Sequence, residues 1–172
     1  MPYVVTACRV LLLAVFAVSV WSKCRSRAAF TEFAASLVAL RLAPGEWARR
    51  IAGAVLAAEA LTVLLLAAAP ATPGFGAAAA LLCVLSGGVL VALRRRVTAS
   101  CRCFGTSNAR LGPAHLVRNL GLLAAAGTGL VAGPSGAGHL AGLLVAGAAG
   151  VVAAALVVTA DDLAELFNQI GT

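Results

Sequence analysis

Cys101 and Cys103 are separated by a single residue, Arg102. Two thiols at that spacing can close a small, strained disulfide. Strain makes such a bond easier to reduce, which suits a catalytic or relay disulfide. Arg102 lies between them and Arg94, Arg95 and Arg96 precede them; positive charge favours thiolate, the nucleophilic form. Two other readings fit the same residues. One is a pair of apolar loop cysteines with no redox role, and the other is a soft Cu(I) site. The chain has one Met and two His, so a copper pathway has few further ligands and no metal site is expected. Cys24 is a candidate third participant, able to pass on a mixed disulfide from the loop end of the first apolar run. Cys8 and Cys83 lie inside apolar runs and read as small buried residues.

Glu59 stands midway along another apolar run. A carboxylate there is costly, so it must face the inside of a bundle and have a partner. It reads as a proton relay or quinone-site acid, or as an interhelical hydrogen-bonding group. His115, Arg118 and Asn119 are spaced by 3 and 4 residues, which puts them on one helical face. That face can hold the cysteine loop or bind an anionic or quinone headgroup; alternatively Arg118 snorkels to the interface. His139 reads as interfacial.

The elements that position these groups follow from composition. Hydrophobic residues make up 62% of the 172 and charged residues 11%, whereas a soluble domain carries about a quarter charged. The apolar residues come in blocks long enough to cross a bilayer as helices. The expectation is an all-α integral membrane protein, one multi-pass domain over residues 1–172. It is a bundle of four to five transmembrane helices, with spans near 3–22, 47–69, 75–93, 114–132 and 139–159. Phe30, Phe33, Leu37 and Leu40 share one helical face in a stretch, 28–42, too short to span. That stretch is expected to lie in the interface or fold back over the bundle as a half-helix. Gly142, Ala146 and Gly150 form a small-residue packing stripe in the last span. Asp161, Asp162 and Glu165 begin a polar tail.

The net charge of +7 comes from 12 Arg and one Lys against six acids. The basic residues cluster in loops between apolar blocks, so they speak for membrane topology and lipid headgroups. No aromatic-interleaved basic surface points to nucleic acid. The loops 23–50 and 94–113 hold 6 and 5 basic residues and the opposite turns none. The positive-inside rule then puts the cysteine loop in the cytoplasm. The first apolar run exits through Trp21-Ser22-Lys23-Cys24, which is not a small-x-small cleavage site. It is therefore expected to be a retained span, and the protein to reside in the cell membrane.

The run Cys101-Arg102-Cys103-Phe104-Gly105, followed by His115-Leu116-Val117-Arg118-Asn119-Leu120, resembles the signature of the MauE family, grouped with DoxX-like, redox-associated membrane proteins. Trp21-Ser22-Lys23, then Phe30, Phe33, Leu40 and Pro44, and Glu59 in the second span, are similar to the pattern there. The resemblance covers about residues 5–135. It implies a role in methylamine utilisation, in maturing the disulfide-rich, exported small subunit of methylamine dehydrogenase together with a thioredoxin-like partner. The leading reading makes Cys101 and Cys103 the exchanging pair, Cys24 a candidate relay, and Glu59, His115, Arg118 and Asn119 accessory groups. The fifth span and the Arg-rich cysteine loop depart from the family pattern. The order of span, half-helix, span, span, cysteine pair and span is also similar to the vitamin K epoxide reductase architecture. There the pair faces outside with a quinone in the bundle, so a quinone is the candidate cofactor. The alternative function is a non-catalytic scaffold or chaperone of a maturation complex. A small-molecule or metal transporter ranks last, because intramembrane polar groups are few.

Overall fold

A computed structural model describes residues 1–68, 70–95, 113–133 and 138–170, with side chains except at 113 and 161–170. Six helices run in order: α1 Pro2–Cys24, α2 Arg27–Ala39, α3 Gly45–Ala67, α4 Thr72–Arg94, α5 Pro113–Ala132 and α6 Leu140–Ile170. Among the described residues there is no strand. Helices satisfy their own backbone groups, as lipid requires. Four of them (α1, α3, α4 and α6) are long and apolar enough to cross a membrane. The fifth long helix, α5, is 20 residues and gathers its polar groups into its first turns.

The ends of the helices are written in the sequence. Proline opens α1 and sits in the first turn of α4, where its absent N–H costs nothing. Ser26 caps α2 by accepting a hydrogen bond from the Ala29 N–H at 3.0 Å. Pro44, in extended conformation, precedes α3 and forces the break there. The polar tail is helical: the apolar span ends at Ala160, and α6 continues past Asp161 and Asp162 to Ile170. No Gly or Pro interrupts that stretch before Gly171, so the helical run has no stop signal.

The packing order follows from close approaches. Gly74 at the start of α4 is so near the backbone of Leu65 and Leu66 that a Cβ would lie 2.6 Å from the Leu66 nitrogen; α3 and α4 form a tight antiparallel hairpin. Gly129 near the end of α5 meets the Phe75 ring near the start of α4. Cys8 Sγ on α1 is 3.3 Å from Thr128 Oγ1 on α5. Thus α1, α3, α4 and α5 form the bundle, and α1 touches both α3 and α5. Leu12, Phe16, Leu66, Phe75, Leu82 and Leu122 fill its centre.

The small-residue stripe of α6 lies on α1. Gly142 meets the Tyr3 ring, Ala146 is buried, and a Cβ on Gly150 would lie 2.6 Å from the Ala7 carbonyl oxygen. Small residues are what allow two helices to come this close in lipid.

The half-helix folds back onto the bundle. Phe33, Leu37 and Leu40 of its predicted face are buried, and Phe33 and Leu37 share a core cluster with Ala48 and Ala52 of α3. It ends in a Schellman motif: Leu42 N–H donates to the Leu37 carbonyl and Arg41 N–H to that of Val38, both at 2.9 Å. The residue in the left-handed position of such a motif is usually Gly. Here it is Arg41, with φ 55°. The end of α4 is fastened to this turn, because Arg95 donates from Nη1 to the Arg41 carbonyl at 2.7 Å.

One end of the bundle therefore carries the N-terminus and the α3–α4 and α5–α6 turns. The other carries the α1–α2 link, the α2–α3 turn, the end of α4 and the start of α5.

Candidate functional site

The buried polar centre of the protein joins α1, α2 and α3. Ser19 and Lys23 are four residues apart on α1, so both point to the same side of the helix. That side faces Glu59 of α3. Lys23 Nζ donates to Glu59 Oε1 at 2.9 Å, to Glu59 Oε2 at 2.8 Å and to Ser19 Oγ at 2.6 Å. Ser19 in turn donates its hydroxyl proton to Glu59 Oε1 at 3.0 Å. The ammonium also lies 4.9 Å from the centroid of the Phe33 ring on α2, within cation–π range. Lys23 and Glu59 are each 1% exposed.

The carboxylate of Glu59 thus faces the bundle and has a partner, hydrogen-bonded between helices. Lys23, its partner, was not among the site residues expected from sequence, nor was Ser19. Their signal was present. Lys23 is the only lysine against 12 arginines, and it follows Ser19 by one helical turn.

A second cation that sequence reasoning passed over is Arg9. It reaches across to the C-terminus of α3, donating from Nε to the Leu66 carbonyl at 2.6 Å and from Nη2 to those of Ala67 and Ala68 at 3.0 and 2.8 Å. The last carbonyls of a helix have no partners within it and form the negative end of its dipole. Arg9 supplies both donors and charge.

The cysteines divide. Cys8, Cys24 and Cys83 form no disulfide. Cys83 is exposed on the outside of α4, which corrects its expected burial: an unbranched apolar side chain is as comfortable against lipid as in a core. Cys24 is also exposed. It lines a groove with Lys23, Ser26, Arg27, Phe30 and Arg49, so its surroundings are basic and open. Cys101, Arg102 and Cys103 lie outside the described residues, as does Arg96. The end of α4 and the start of α5 lie at the same end of the bundle as Cys24.

On α5, His115 and Asn119 are buried and Arg118 is half-buried, so the expected polar face exists and turns inward. Asn119 Oδ1 is buried without a hydrogen bond among the described residues. No group of three His, Cys, Asp or Glu side chains converges among the described residues.

A helical bundle with long apolar spans, an ion pair sealed inside it and an exposed thiol at one end defines a polytopic membrane protein with a polar core. Its sequence places it more closely. Residues 1–132 match the family model described as methylamine utilisation protein MauE, and the chain belongs to that family. The match ends at the last residue of α5, so α6 lies beyond it. Neither the curated proteins nor the solved structures contain a match to the chain.

Proposed function

We propose that this MauE-family membrane protein supports thiol–disulfide exchange in the maturation of an exported, disulfide-containing protein, working in the cell membrane with a thioredoxin-like partner. The observation that carries the reading is the exposed Cys24 thiol in a basic groove, in a chain whose sequence sets Cys101 and Cys103 between α4 and α5. Three thiols, Cys24, Cys101 and Cys103, are enough for attack, resolution and relay.

The chemistry balances as follows. A thiolate of the Cys101/Cys103 pair attacks a disulfide sulfur of the partner, forming a mixed disulfide and expelling the partner's other sulfur as thiolate. The second cysteine of the pair then displaces the partner, leaving the pair oxidised and the partner reduced by two electrons and two protons. A thioredoxin-like dithiol restores the pair by the same exchange in reverse. Glu59 is tied up with Lys23 and Ser19, and it serves this scheme by fixing α1, and with it Cys24, against α2 and α3.

A scaffold role is the second reading, favoured by that same ion pair. The buried Lys23 and Glu59 satisfy each other, which is what a structural core requires. The two readings part on one experiment. In the native organism, replacing Cys101 and Cys103 together with Ser should abolish maturation of the exported partner while leaving the protein at its normal level in the membrane. Normal maturation in that double variant would leave the scaffold role in its place.

A further inference from the structure

An apolar groove of about 220 Å³ runs between α2, α3 and α4. Leu37 of α2 and Leu40 just after it, Ile51 and Val55 of α3, and Val84 and Val89 of α4 are among its walls. Protein interiors rarely leave so large a space unfilled, and an apolar space of this kind stays dry and takes apolar ligands. The groove has a direction. Along α4 its lining runs from Ala92 back through Gly88 to Val84, two turns deeper into the apolar span. Val84 is 68% exposed, so the far end opens toward hydrocarbon. The near end is rimmed by cations. Arg41 is flanked by two lining residues, Leu40 and Leu42, and Arg95 follows Ala92 by three residues; both arginines are exposed.

The second observation concerns Arg41 itself. It holds the left-handed position of the Schellman turn, with φ 55°, where Gly carries no steric cost and other residues do. A strained non-glycine residue at a rim is an outlier that points to use of its side chain. Its backbone carbonyl is meanwhile held by the Arg95 guanidinium, which keeps the Arg41 turn beside the end of α4.

We propose that this groove binds an anionic phospholipid, with one acyl chain lying between α2 and α4 and the phosphate headgroup on Arg41 and Arg95. An acyl chain suits walls that are apolar throughout. An anionic headgroup suits paired arginines at the level where α4 leaves the membrane, since guanidinium groups bind phosphate oxygens in bidentate fashion.

The test uses the purified full chain in detergent, with dioleoyl-phosphatidylglycerol and dioleoyl-phosphatidylcholine titrated separately and adducts counted by native mass spectrometry. Phosphatidylglycerol should bind the more tightly. Arg41→Gly should weaken phosphatidylglycerol roughly fivefold, the effect of one interfacial cation, leave phosphatidylcholine nearly unchanged, and hold or raise the thermal midpoint, because the turn strain is relieved. Gly88→Leu should reduce binding of both lipids by filling the groove. That residue has room, since a Cβ there meets only the Leu42 Cδ1 atom at 3.6 Å. Equal binding of the two lipids by the unaltered protein would overturn the proposal. So would undiminished phosphatidylglycerol binding in either variant, or displacement of phosphatidylglycerol by an equimolar uncharged prenylquinone.

Discussion

Lys23 and Glu59, 36 residues apart in sequence, meet as a bidentate ion pair inside the bundle, with both carboxylate oxygens within 2.9 Å of the ammonium. Each residue alone would be an expensive charge in an apolar span. Together with Ser19 and the Phe33 ring they form a buried polar unit that ties α1, α2 and α3 together.

Breaking that unit from one side should be much worse than removing it. Lys23→Met or Glu59→Leu alone leaves an uncompensated buried charge, a loss of about 3–5 kcal/mol. The double variant Lys23→Met, Glu59→Leu should recover most of it. Thermal unfolding of the four proteins in one detergent measures the coupling. Additive losses would mean that the two groups do not depend on each other.

The Arg9 clamp predicts a different signature. Arg9→Leu strands three carbonyls at the end of α3 and removes a charge that complements the helix dipole. Hydrogen bonds from a charged donor contribute about 1.5–3 kcal/mol each, and water at the membrane surface can replace part of that. A fall in the thermal midpoint is expected, with partial recovery in Arg9→Lys, which keeps the charge but cannot span several carbonyls as a planar fork does. A midpoint unchanged in Arg9→Leu would remove the clamp from the account.

Two glycines of α6 offer an internal control on how that helix docks. A Cβ at Gly150 would lie 2.6 Å from the Ala7 backbone oxygen, whereas one at Gly147 meets nothing within 4 Å. Gly150→Ala should therefore push α6 away from α1 and cost about 1–3 kcal/mol as overpacking. Gly147→Ala should be neutral or add up to about 1 kcal/mol through helix propensity. Matching midpoints for the two variants would place α6 elsewhere.

The features legible in the sequence are those with a local cause. The helices could be read because apolar runs end at Pro44, Pro70 and Arg94–Arg96, which stop or cannot enter a span. The half-helix could be read because Phe33, Leu37 and Leu40 recur at helical spacing, and the α6 stripe because Gly142, Ala146 and Gly150 do. Glu59 could be known to need a partner, since no lone carboxylate is stable in hydrocarbon. That the partner is Lys23 depends on the rotation of α1 about its own axis and its depth relative to α3, and these are set by packing over the whole bundle. The same holds for Arg9, whose contacts lie 57 to 59 residues away. Cys83 misled because an apolar residue in a span is equally at home facing lipid or core.

The most direct measurement of the thiol account is a trap for its covalent intermediate. In the native organism, Cys101→Ser and Cys103→Ser are made singly, and membranes are run on non-reducing gels after acid quenching. Exchange through a mixed disulfide requires one cysteine to attack and the other to resolve. One single variant, and not the other, should accumulate a covalent adduct with a thioredoxin-like or exported thiol protein, lost on reduction, while Cys8→Ser and Cys83→Ser behave as the unaltered protein. Failure of either single variant to form an adduct, with maturation of the exported partner still normal in both, would contradict the account.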